Sequence, residues 1–296
     1  MGMRIDCHQH VWTEPLIAAL ASRSERPRVR RAGGGWRLEL DGEADYPIGP
    51  DDLMARVAEV DGDGVDLALV APSLPAGIAS AEALAGAYVE GAAALPERFR
   101  AWGSVAVVDP DPVSVDAQLG EGFVGIALPA GALAGPAQIE RCAPVLERLE
   151  RRDAPLFVHP GPADPAPGAP AWWPALTDYV AQMNAAWHAF VAFGREQFPS
   201  LRVAFALLAG LAPLHIERLR ARGGPADQAI DRNLFYDTSS YGPRSLDAMV
   251  RVVGIDQLVY GSDRPLATPP PCPLGEAARH ATLVTNPARL LRRSAP

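Results

Sequence analysis

The 296 residues carry 27 basic and 35 acidic side chains, and the net charge of −8 argues against nucleic acid or an anionic membrane as partner. An apolar fraction of 48% is ample for a large core, yet no apolar run reaches the roughly 18–20 residues of a membrane span. Cys7, Cys142 and Cys272 lie far apart with no CxxC spacing, and no signal-peptide pattern opens the chain, so a cytoplasmic protein without a disulfide framework is expected.

Short β-branched or apolar runs fall at residues 3–8, 65–71, 100–107, 123–128, 155–159, 201–207, 233–237 and 257–263. Helical patterns alternate with them near 50–60, 80–95, 113–119, 139–152, 175–197, 211–222, 244–253 and 275–291. Eight strand–helix pairs predict an α/β fold, a (β/α)8 TIM barrel of parallel strands, in a single domain over 1–296. The segment 22–48 stands apart as an insertion after the first strand. Within it, Gly33 to Gly42 alternates in polarity and ends in Asp41-Gly42, which predicts a small β-hairpin at the barrel mouth. The 30 prolines gather in loops, notably 160–174 and 265–273, and read as rigid connections over a scaffold.

His8 and His10 stand at i and i+2 at the end of the first strand, so both imidazoles point to one side. Barrel chemistry lies at the C-terminal ends of the strands. His159 ends the fifth strand and Asp263 the eighth, which puts four candidate ligands at one face. Three imidazoles and a carboxylate suit one divalent ion, Zn²⁺ first and Mn²⁺ as well, with a coordination position left open. The bland reading of His159 is a capped core histidine, and that of Asp263 a cap on the turn into Arg264-Pro265.

Trp12, Trp172 and Trp173 either line an apolar substrate pocket or pack against neighbouring helices. Arg264 either meets a substrate carboxylate or pairs with a nearby acid. Tyr236, Asp237, Ser239 and Ser240 end the seventh strand, as polar contacts or, for Asp237, as a cap. His188, His215 and His280 read as packing or surface residues, and Cys7 as core packing.

The motifs Ile5-Asp6-Cys7-His8-Gln9-His10, Phe157-Val158-His159-Pro160, Phe198-Pro199-Ser200-Leu201 and Tyr260-Gly261-Ser262-Asp263 together resemble the amidohydrolase superfamily. The branch resembled includes aminocarboxymuconate-semialdehyde decarboxylase, and the likeness covers nearly the whole chain. It implies that His8, His10, His159 and Asp263 are metal ligands. Relatives often carry a bridging lysine in strand four, but Ala127 stands near that place, so one metal is expected.

A second departure concerns the strand-six histidine of the family, whose place Leu207 takes. Leucine neither hydrogen-bonds nor moves a proton, help that is typically worth ~10²–10⁴ in rate. The resemblance leaves Asp263 as the base. The expected activity is therefore metal-dependent hydrolysis of a small amide, ester or lactone, with an apolar substrate portion near Leu207. Three alternatives stay open: nonoxidative decarboxylation of an aromatic or unsaturated acid, a metal-independent lactonase, and a barrel that only binds a ligand. The partner is a small-molecule substrate, and a homodimer is common for such barrels.

Overall fold

Eight short parallel strands follow the chain in order and close on themselves in a computed structural model that describes residues 2–268 and 274–292. Strand β1 spans Ile5–Gln9. A small antiparallel sheet of β2 (Arg28–Ala32), β3 (Gly35–Glu39) and β4 (Tyr46–Ile48) comes next. The barrel resumes with β5 (Leu67–Val70), β6 (Phe99–Ala101), β7 (Gly103–Ser104), β8 (Ile126–Pro129) and β9 (Leu156–His159). It ends with β10 (Val203–Phe205), β11 (Leu234–Asp237) and β12 (Leu258–Val259). Strands β6 and β7 are one barrel strand broken at Trp102, which gives the eight staves of a TIM barrel.

Apart from Arg100, every residue of the barrel strands is buried. Helices cover the outside of a parallel barrel and side chains fill the inside, so its strands read as apolar runs rather than alternating ones. Two ladders run β1-β5-β6 and β12-β11-β10-β9-β8-β7. Closure between β12 and β1 is made by Cys7 N to Tyr260 O (2.8 Å), Asp263 N to His8 O (2.9 Å) and His10 N to Arg264 O (2.7 Å).

The buried carboxylate of Asp6 locks that seam. It accepts from His8 N (3.0 Å), Ser262 N (3.0 Å) and Gln9 Nε2 (2.9 Å), yet burial still lifts its carboxyl to about 6. Inside the barrel, Trp102 stacks on Phe157 at 5.1 Å and donates from Nε1 to Cys7 O at 3.1 Å. This aromatic pair forms an apolar floor, with the His8 ring edge-on to Phe157 at 5.1 Å. Cys7 itself is buried in the core, as expected of a packing residue.

The insertion departs from the expected hairpin. Its turn is Gly33-Gly34, both at positive φ (58° and 83°), between paired Ala32 and Gly35. Two left-handed residues make a turn whose twist matches the strands it joins, and two glycines adopt it more readily than Asp-Gly. Asp41-Gly42 instead lies in the longer loop to β4. A helix over Glu14–Ser22, started by a proline in its first turn, precedes the sheet and was not apparent as a separate element in the sequence.

The second departure follows β10. Leu207, Leu208, Ala209, Gly210 and Leu211 all have positive φ, from 49° to 63°. One left-handed residue costs an L-amino acid roughly 1–2 kcal/mol, so a run of five that includes four non-glycine residues needs strong support. Packing against the helix Asp178–Ala189 provides it: Asn184 Nδ2 donates to Gly210 O at 2.7 Å, and most of the turn is buried. No helix among the described residues is long and apolar enough to cross a membrane.

Candidate metal centre

His8, His10, His159 and Asp263 converge at the C-terminal mouth of the barrel, with one potential ligand atom from each lying within 4.8 Å of all the others. Three strand ends deliver them. Alternation along β1 turns His8 and His10 inward together, β9 ends on His159, and Asp263 follows β12 in a left-handed conformation (φ 58°). That backbone is held by Asp263 N donating to His8 O, so the strain falls at the site itself.

Each imidazole has its outer nitrogen committed. His8 Nδ1 donates to Asp237 Oδ2 at 2.6 Å, His10 Nδ1 to Ala71 O at 3.0 Å, and His159 Nδ1 to Pro160 O at 2.9 Å. A ring whose Nδ1 carries the proton presents an Nε2 lone pair. His8 Nε2 and His10 Nε2 then face each other at 3.1 Å. Asp263 Oδ1 lies 3.3 Å from His10 Nε2 and 3.6 Å from His8 Nε2, and it is buried without a well-formed hydrogen bond.

Converging acceptors of this kind are satisfied by a cation, either a proton or a metal ion. The donor set therefore fits a divalent ion held through three imidazoles and one carboxylate. The sequence contains no lysine, its 27 basic residues all being arginine, so no lysine carbamate is available to bridge a second ion.

The same crowding sets the charges. Burial resists charging His8, but the buried Asp237 carboxylate outweighs it and carries that imidazole up to about 9. Burial, then the neighbouring His8 and His10, hold His159 well below the ordinary imidazole value. Burial works against the Asp263 carboxylate, yet the His10 contact and the surrounding imidazoles bring it down to about 2.

Asp237 is the residue whose part the sequence left open. Its Oδ1 accepts from Ser239 N (2.7 Å) and its Oδ2 from Ser239 Oγ (2.8 Å), so it is fixed before it meets His8. Gly261 makes room for it, because a Cβ there would come within 2.0 Å of Asp237 Oδ1 and 2.9 Å of His8 Cβ.

A cavity of about 430 Å³ opens onto His10, His159 and Asp263. Leu207 lines it, together with Leu40, Leu176 and Val180. Polar groups reach it from Glu43, Tyr46, Ser73, Tyr179, Ser240 and Tyr241, none of which was singled out in the sequence for a pocket except Ser240.

The remaining candidates lie elsewhere. Trp12 is buried against Tyr46, with ring centroids 6.4 Å apart, and supports the wall from behind. Trp172 and Trp173 face each other at 5.8 Å, are 58% and 41% exposed, and do not line the cavity. The proline-rich loop carries them past the mouth. Arg264 is turned away into a two-point pair with Asp63 (Nε–Oδ2 2.6 Å, Nη2–Oδ1 2.9 Å), so its guanidinium is spoken for. His188 packs on Trp187, 4.9 Å between rings, away from the cavity lining.

This chain belongs to the amidohydrolase family, whose model matches residues 5–293. Solved structures share the fold across almost their whole length. IDCase of Metarhizium anisopliae is 19% identical with a TM-score of 0.77, covering 98% of this chain and 97% of that one. The 5-carboxyvanillate decarboxylase of Novosphingobium aromaticivorans, solved with manganese, is 17% identical at a TM-score of 0.73, with 98% and 97% covered. The 2,6-dihydroxybenzoate decarboxylase of Rhizobium is 16% identical at 0.68, with 99% of each chain covered. The chain is thus an amidohydrolase-superfamily enzyme on a TIM barrel, with a His/Asp group that could hold a metal.

Proposed function

We propose that this chain hydrolyses a small organic ester, lactone or amide with the help of one divalent metal, zinc or manganese, held by His8, His10, His159 and Asp263. One observation carries the reading. Among the described residues the cavity is lined by no arginine, and Arg264, next to Asp263 in sequence, is engaged by Asp63. A carboxylate held away from the metal would find no side-chain counter-ion there, whereas an acyl compound with apolar substituents matches walls such as Leu40, Leu176 and Leu207.

The ion, when bound, supplies Lewis acidity that polarises a carbonyl and makes water more acidic. Asp263 is ionised at neutral pH, and its Oδ2, steadied by the Ser240 hydroxyl at 3.3 Å, takes the proton released as water adds to the carbonyl carbon. The same oxygen returns that proton to the departing alkoxide or amine. Leu207 excludes water from the side where relatives resembled by this sequence carry a histidine.

Decarboxylation of an aromatic acid is the second reading. The apolar walls would accept an aryl ring, and two of the named relatives are decarboxylases of such acids. The test is to incubate zinc- and manganese-loaded protein, with metal content measured, against aryl esters, lactones, anilides and hydroxybenzoic acids while following acid release and CO₂ in parallel. Acid release that disappears in Asp263→Asn and on chelation supports hydrolysis. CO₂ without acid release overturns it in favour of decarboxylation, and lactone cleavage that survives chelation overturns the role of the metal.

A further inference from the structure

Two cavity groups come from outside the barrel strands. Glu43 lies in the loop between β3 and β4, and Tyr179 is the second residue of the helix Asp178–Ala189. Across 136 residues of sequence the Tyr179 hydroxyl donates to Glu43 Oε1. Both line the cavity that reaches the metal ligands, and both are half-buried.

Their charge environment is one-sided. Glu43 is joined by Asp263 on the cavity wall and by Asp178 beside Tyr179, while no arginine lines the space among the described residues and the chain has no lysine. Burial, with Asp178 adding to it, lifts the Glu43 carboxyl, and the Tyr179 hydrogen bond holds it down in part. An ionised carboxylate has about four acceptor positions, of which Tyr179 takes one. Tyr46, Tyr179 and Tyr241 add aromatic faces to the same cavity, and such faces attract cations. A group arriving here is therefore offered acceptors and π-faces, whereas a second anion meets like charge.

We propose that Glu43 and Tyr179 form the selecting wall of this cavity. It accepts substrates whose end remote from the metal carries a hydrogen-bond donor, an ammonium group above all, and rejects those with a carboxylate there. This deepens the hydrolase reading and rests on its metal site.

The test uses zinc-loaded protein and three benzohydroxamates, which anchor on zinc and differ only in the para substituent: aminomethyl, methyl or carboxylate. Calorimetry should give a Kd for the aminomethyl compound at least about tenfold below that of the carboxylate, with the methyl compound between them. Glu43→Gln keeps an acceptor for Tyr179 but removes the charge. It should erase the aminomethyl advantage and leave the methyl compound unchanged, and Glu43→Arg should invert the order. Equal Kd values in the natural chain, or an order unmoved by Glu43→Gln, overturn the selecting wall while leaving the hydrolase reading intact. Protein that takes up no zinc, or that fails to bind even the methyl compound, overturns the metal site and this proposal with it.

Discussion

Replacing Asp237 by Asn should impair metal binding out of proportion to the loss of one charge. The carboxylate stands 2.6 Å from His8 Nδ1, and both side chains are wholly buried. Ser239 N donates to Oδ1, so an asparagine must keep its carbonyl oxygen toward that amide and turn its NH₂ toward His8. The NH₂ donates, and His8 can accept only if Nδ1 loses its proton and Nε2 gains it. The variant therefore places a proton on the nitrogen that should hold the metal. Loss of an orienting partner of a ligating histidine typically costs about 10–100-fold in affinity, and the tautomer switch puts this case at the upper end, near 2.7 kcal/mol. Competition for zinc against a chromophoric chelator measures it, with circular dichroism to check the fold. A folded Asp237→Asn protein whose zinc Kd stays within about threefold of the natural value would refute the tautomer argument.

The remaining expectations concern the supports of the same centre. Gly261→Ala drives a methyl into Asp237 and His8, so it should release the metal and cost about 1–3 kcal/mol as an overpacked core change, read by elemental analysis and thermal melting. Gly210→Ala puts a Cβ within 2.8 Å of Val180 O at φ 59°, and should lower Tm by about 2–4 °C for each kcal/mol lost without altering zinc affinity. In the metal-free protein, folding raises the His8 pKa from 6.5 to about 9, so its stabilising share is complete below 6.5 and fades as pH rises to 9. Chemical denaturation of chelated protein across that range should show the decline, and zinc-loaded protein should lack it.

The barrel and its four convergent residues were legible because both follow from periodicity. Alternation fixes the direction of His8 and His10 along β1, and the mouth of a barrel gathers strand ends, so His159 and Asp263 had only one place to go. Asp237 sits at a strand end by the same logic, but a carboxylate there serves as a cap or as a partner with equal ease, and only the 2.6 Å contact decides. Glu43 and Tyr179 left no trace, because their meeting depends on how the loop after β3 lies over a helix far along the chain. The tryptophans misled for a related reason. Sequence proximity to His159 says nothing about the path of a proline-rich loop, and that path leads Trp172 and Trp173 onto the surface. Arg264 sits next to Asp263 in sequence, yet the left-handed backbone at 263 is followed by a side chain that turns to Asp63.

The left-handed run from Leu207 to Leu211 has an evolutionary consequence. Its shape is imposed by the helix it rests on rather than by the side chain at 207, which only borders the cavity. The strand-six corner is thus a socket, already bent to present whatever residue occupies it to the reacting space. The hydrogen bond from Asn184 to Gly210 O does not involve the side chain at 207, so a dry wall can be traded for a proton-carrying one there while His8, His10, His159 and Asp263 stay where they are.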